Sequence, residues 1–159
     1  MFAYEKVKSE IYEFCFAKSK GGRHMYTYKH RVKYYETDKM GITHHSNYIR
    51  IMEEARVDWL DKIGWSFKKC EDLNMTSPVL SVKCDYKHHT TFDDVIEVEV
   101  GIKTYNGIRM SFEYIMKKDD EIVAIGETEH CFLNANGLPI RIKKEYPEFD
   151  ELLRKELEK

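Results

Sequence analysis

Proline and cysteine are scarce in this 159-residue chain, with three of the first and four of the second. The cysteines Cys15, Cys70, Cys84 and Cys131 stand far apart and form no CxxC pair, so the spacing builds neither a zinc site nor a dithiol redox motif. Without a secretory-signal pattern ahead of them, such thiols are expected to stay reduced in a cytoplasm. No apolar run approaches the length of a membrane span. An excess of one charge sign is also missing: a net charge of −2 gives no overall basic field for nucleic acid, and leaves only local clusters that could hold a phosphate. Gly41, Gly64 and Gly107 read as turn or cap positions and assemble no Gly-rich nucleotide loop, which leaves a dehydrogenase or kinase without a motif. No Ser-centred elbow supports a serine hydrolase, and internal repeats and low-complexity stretches are absent.

What is present is a length and a 42% hydrophobic content that suit one domain with a real core. The organising stretch is residues 31–64. Alternation at Val32, Tyr34 and Glu36 reads as the end of a first strand over 26–35, with its polar residues outward. Gly41 permits a reversal, and Ser46 or Thr43 is placed to cap a helix. From Tyr48, the residues Met52, Ala55, Trp59 and Ile63 follow a helical stripe widened by Ile49, Ile51 and Leu60, and Gly64 closes it. Asp38 therefore precedes a helix N-terminus, whose unpaired N–H donors favour an anion or a polarised carbonyl. A carboxylate opposite such a site suits hydrolysis of an activated acyl group, while turn capping is the simpler reading of the spacing. Spacing alone leaves both readings open.

Further along, 65–75 reads as a loop with a short helical turn, and Pro78 marks the start of a second strand over 79–86. A third over 95–104 and a fourth over 108–117 flank Asn106-Gly107, a hairpin signal. A fifth spans 122–134 before Asn136-Gly137, and 147–158 carries Phe149, Leu152, Leu153 and Leu157 at helical spacing behind Pro147. One strand, one long helix, then hairpin-linked strands imply an α+β fold, an antiparallel sheet with the helix on one face.

The run Tyr35-Glu36-Thr37-Asp38-x-x-Gly41-Ile42-x-x-His45-Ser46-Asn47-Tyr48, then Met52-Glu53-x-Ala55-Arg56 and Trp59-Leu60, resembles the signature of hotdog-fold acyl-CoA thioesterases of the 4-hydroxybenzoyl-CoA thioesterase type. Asp85-Tyr86 with Phe92-Asp93-Asp94-x-Ile96-x-Val98 resembles that family's second and third strands. Gly126-Glu127-Thr128-x-His130-x-Phe132 with Gly137-x-Pro139-x-Arg141 resembles its last strand and exit, so the likeness covers 28–144. The resemblance implies a hotdog fold, in which a curved antiparallel sheet wraps one long central helix and the unit pairs with further copies as a homodimer or homotetramer. It implies hydrolysis of an acyl-CoA to a free acid and CoA, with Asp38 as nucleophile or general base and the backbone at His45 polarising the carbonyl. Gly41, Thr43, His44, Asn47 and Tyr48 fall at substrate-binding positions, although Asn47 and Tyr48 read more simply as helix-start and interface packing. Thr43 and His44 depart from the family's pattern. Glu53 is a second carboxylate candidate, read structurally as a partner of Arg56.

No cofactor is implied, and no metal: adjacent His44 and His45 point in different directions and do not complete a site with Asp38. Lys87, Lys103, Arg109, Arg141 and Lys143 are candidates for holding CoA. His88-His89 reads as a solvated loop or the site's rim. The same fold also serves as a non-catalytic acyl-CoA or acyl-carrier-protein binding module, an alternative that an intact Asp38 weighs against. The acyl group itself is unreadable. Residues 25–159 form the expected single domain with a C-terminal helix, and 1–24 an extension. Lys20-Gly21-Gly22 can be encoded by a purine-rich ribosome-binding sequence ahead of Met25, so translation is expected to start naturally at Met25.

Overall fold

The computed structural model describes residues 25–159; the expectations for 1–24 lie outside the described residues. Five strands, β1 (Tyr26–Arg31), β2 (Val79–Tyr86), β3 (Val95–Tyr105), β4 (Arg109–Lys118) and β5 (Glu121–Cys131), form one antiparallel sheet in the order β1-β3-β4-β5-β2. Helix α1 (His45–Lys62) packs on one face, α2 (Phe67–Asp72) follows it, and α3 (Ile142–Glu145) and α4 (Pro147–Leu157) close the chain. This is the α+β hotdog arrangement.

Strand pleating sorts the side chains. On β3, Ile96, Val98, Val100 and Ile102 are buried; on β4, Met110, Phe112, Tyr114 and Met116; on β5, Ala124, Gly126, Thr128 and His130. Opposite them α1 buries Tyr48, Ile51, Met52, Ala55, Arg56, Trp59 and Leu60. Gly126 lets the helix approach closely, because a Cβ there would collide with the Met52 sulfur. Bulges between Val79 and Ser81, Ile102 and Thr104, and Met116 and Lys117 supply local bends in the sheet. Trp65 stacks on Phe149 at 4.0 Å, and this anchors α4 over the end of the core.

Two local expectations are corrected. The first strand stops at Arg31, and Tyr34–Glu36 is a 3-10 turn. Val32 still donates to Asp94 O at 2.9 Å, but the Glu36 carboxylate then folds back to accept from Lys33 N at 2.7 Å, which ends the extended run and leaves Tyr34 and Tyr35 exposed. The cap of α1 is His44, not Ser46 or Thr43. Its Nδ1 accepts from Ser46 N at 3.4 Å, while Thr43 is buried in a bridge to Thr37 and Ser46 already lies inside the helix. In the Asn106-Gly107 hairpin only Gly107 takes positive φ; Asn106 instead accepts Ile108 N and Arg109 N through its side chain at 3.0 and 2.8 Å. No helix among the described residues is long and apolar enough to cross a membrane.

Candidate active site

Asp38 sits at the tip of a small hairpin. Thr37 pairs with Thr43, Asp38 N donates to Ile42 O at 2.9 Å, and Gly41 N donates back to Asp38 O at 2.9 Å. Gly41 has φ of 76°, so the tight turn uses its freedom to adopt left-handed backbone. The Asp38 Oδ1 accepts from Met40 N at 2.7 Å, and its Oδ2 has no hydrogen bond among the described residues. One oxygen thus fixes the carboxylate's direction, and the other is left without a bond among the described residues.

The same hairpin delivers the helix start. His44 N donates to Glu36 O at 2.8 Å, and Asn47 Nδ2 donates to that same carbonyl at 2.8 Å, so Asn47 is a buried strap between the two segments. His45 opens α1, where first-turn N–H groups lack intrahelical acceptors. Its imidazole is exposed, 4.2 Å from the His44 ring and edge-on to Tyr86 at 6.3 Å. Thr43 is buried and bonds Thr90 Oγ1 at 2.7 Å, which Tyr48 OH also reaches at 3.0 Å. Asp38, Gly41, Thr43, His44, His45, Asn47 and Tyr48 therefore belong to one hydrogen-bonded unit. Glu53 lies two turns along the exposed side of α1, where its charge favours the charged form of Arg56.

Tyr86 and Thr90 join this unit without having been singled out as site residues. Tyr86 OH donates to His45 O at 3.0 Å, and its ring meets Tyr48 at 5.4 Å. Burial, with the Cys84 thiol beside it, pushes the Tyr86 hydroxyl up to about 12, so it acts as a neutral donor. Both residues lie at least 38 positions from these partners, and no local pattern announces such a contact.

A second polar cluster is buried deeper under α1. His130 Nε2 meets Thr128 Oγ1 at 2.8 Å, and Thr128 Oγ1 meets Tyr114 OH at 2.9 Å. Burial, reinforced by the Arg56 charge, pushes His130 down to about 4 and keeps it neutral. Burial likewise lowers Arg56, against the opposing pull of Tyr114 and Glu53. Among the described residues no group of three or more His, Cys, Asp or Glu is arranged to hold a metal ion. Of the cations considered for CoA, Lys103 and Arg109 are paired with Glu127 and Glu129 at 2.5 and 3.1 Å.

Residues 32–156 match the thioesterase-like superfamily. The chain belongs to that family. It is a thioester hydrolase, and the family supports acyl-CoA thioesterase activity. Among relatives of this thioesterase, a protein of Aquifex aeolicus (strain VF5) that carries an esterase name is 39% identical over 120 residues, covering 76% of this chain and 93% of its own. Acyl-CoA thioesterase YbgC of Haemophilus influenzae is 27% identical over 84 residues, covering 52% of this chain and 62% of its own. A DHNA-CoA thioesterase structure from Staphylococcus aureus superposes with a TM-score of 0.78 at 28% identity, covering 81% of this chain and 88% of that one. The hotdog expectation is thereby met by both sequence and shape.

Proposed function

We propose that this thioesterase cleaves an acyl-CoA to a free carboxylic acid and CoA with Asp38 as its catalytic residue. The carrying observation is a carboxylate locked by one oxygen in a hairpin that also forms the start of α1. The thioester carbonyl lies at the His45 end of the helix, where N–H donors stabilise the developing oxyanion. Asp38 supplies the attack, by adding to the carbonyl itself or by deprotonating the water that adds. The C–S bond breaks, the thiolate leaves as CoA after protonation, and water provides the acid's new oxygen; no redox or metal cofactor enters this balance. Gly41 and His44 border the acyl-CoA, while Thr43, Asn47 and Tyr48 hold the frame.

The unit acts as a homodimer, or a pair of such dimers, in a cytoplasm. Support comes from β2, an edge strand whose Val79, Leu80 and Val82 are exposed and whose last residue, Tyr86, touches His45. Pairing two β2 edges covers these side chains and brings a second chain beside the site.

Free-thiol release from a panel of acyl-CoAs tests the assignment, with wild type beside Asp38→Asn. Turnover should fall by about 10²-fold to 10⁴-fold in the variant, with fold and acyl-CoA binding retained. Unchanged turnover would transfer the role to Glu53.

A further inference from the structure

His30 is a buried side chain with an ionic partner on each ring nitrogen. Nδ1 lies 2.9 Å from Glu54 Oε2 on α1, and Nε2 lies 2.9 Å from Glu36 Oε2 in the 3-10 turn. The His30 and Glu36 side chains are only 7% and 8% exposed. A carboxylate only accepts, and a neutral imidazole donates from one nitrogen alone, so two ionised carboxylates are both bonded only by a doubly protonated ring. An ordinary core histidine needs no such arrangement; here two carboxylates converge on one ring, and the protonated ring compensates the burial of Glu36, while the Glu54 side chain is 45% exposed.

Glu36 is the link to the site. Its side chain holds His30 and Lys33 N, while its main-chain carbonyl holds His44 N and the Asn47 amide. Two residues later comes Asp38. Displacing the Glu36 carboxylate therefore moves the hairpin that aims Asp38 and the backbone that starts α1.

We propose that His30 is a positioning residue for hydrolysis: its doubly protonated ring clasps Glu36 to Glu54 and so holds the Asp38 hairpin against the start of α1. The inference rests on the reading of Asp38 as the catalytic residue. When the ring loses a proton, one of the two bonds goes and the hairpin loosens. The titratable groups around the clasp are Glu36 from the turn, Glu54 and Asp58 from α1, and Tyr26 and Tyr28 from β1 itself. Ile96, the β3 partner in register, carries no charge. Tyr28 OH donates to the same Glu54 oxygen at 3.0 Å, so the helix side of the clasp keeps a neutral bond when the ring lets go. The Glu36 side keeps only the Lys33 amide.

The experiment follows kcat and KM for an acyl-CoA that wild type hydrolyses, from about pH 5 to about pH 8, the window in which imidazole changes charge. Wild type, His30→Gln, Glu54→Gln and Asp38→Asn are compared, with the His30 ring followed by ¹⁵N NMR. In wild type, kcat should fall on the alkaline side in step with loss of the second ring proton, by about tenfold, with KM steady. His30→Gln should lack that limb and show the low kcat at every pH. Glu54→Gln removes a carboxylate that favours the charged ring, so limb and NMR titration should move together to lower pH. This variant carries the test should His30→Gln not fold. An alkaline limb that survives in His30→Gln, or one that stays in place in Glu54→Gln while the ring titration moves, overturns the clasp. Asp38→Asn with wild-type turnover overturns the catalytic reading instead, so the two failures are told apart.

Discussion

The two edges of the sheet are finished in opposite ways. Along β1, alternate residues Tyr26, Tyr28 and His30 reach across to Asp58 and Glu54 on α1. Two strand residues advance about 6.6 Å and four helical residues about 6 Å, so Tyr26 and Tyr28 meet Asp58 and Glu54 in step, and His30 shares Glu54 with Tyr28. The contacts push the Tyr26 hydroxyl up to about 12 through its bond to Asp58, and Tyr28 up to about 12 through burial and Glu54. Along β2 no helix among the described residues carries a matching row, and Val79, Leu80, Val82 and Tyr86 are 42–46% exposed. One edge is satisfied within the chain; the other is apolar and asks for a second surface. For the proposed dimer this difference favours β2 over β1 as the contact, because an apolar edge gains from burial whereas a saturated polar edge gains little.

The largest effect should come from charging the apolar edge. Val82→Lys is expected to convert the proposed dimer to a monomer, raising its dissociation constant by at least about 100-fold, or about 2.7 kcal/mol, in analytical ultracentrifugation. Thiol release should fall with it. Val82→Lys that dimerises like wild type would break the comparison.

The inner side of the same edge gives the next effect. Val79 on β2 pairs with His130 on β5, and His130 is buried and held neutral. Its ring binds a proton near pH 4 when folded and near 6.5 when unfolded, so the unfolded chain takes up more protons between these values. Stability is therefore full above the upper value and lost as pH falls through the lower one, by on the order of 3 kcal/mol. Urea titrations across that window should show the loss, and His130→Gln should flatten it.

A smaller effect belongs to the saturated edge. Tyr26→Phe removes one bond to Asp58 and leaves strand and helix in place, so urea unfolding should report about 1 kcal/mol or less, with no change in assembly. Loss of the dimer in this variant would mean that β1, not β2, faces the partner.

Much of this was legible in residue order. The strands β2, β3 and β4 fall within one residue of their pattern-based bounds, because period-two alternation is enforced by burial of one sheet face. The Asp38 turn was legible too, through Gly41 and the run that follows it. The 3-10 turn was not: Val32, Tyr34 and Glu36 alternate like a strand, and only the return of the Glu36 carboxylate to Lys33 N ends it. The helix cap departs from residue-type preference for a related reason. Thr43 is the better capping residue by type, but its hydroxyl is already engaged by Thr90, 47 positions away.

The sequence by itself determined the family, the α+β order, the core-facing residues and the carboxylate beside a helix start, since each depends on local periodicity, turn chemistry or a contiguous motif. Tertiary structure alone decided which groups meet. It set Tyr86 against His45 and His30 between Glu36 and Glu54, and placed β2 at a sheet edge with Val79, Leu80 and Val82 exposed. Those pairings arise when hydrogen-bond partners distant in sequence are brought within 3 Å by sheet register and helix packing, which no short window of residues encodes.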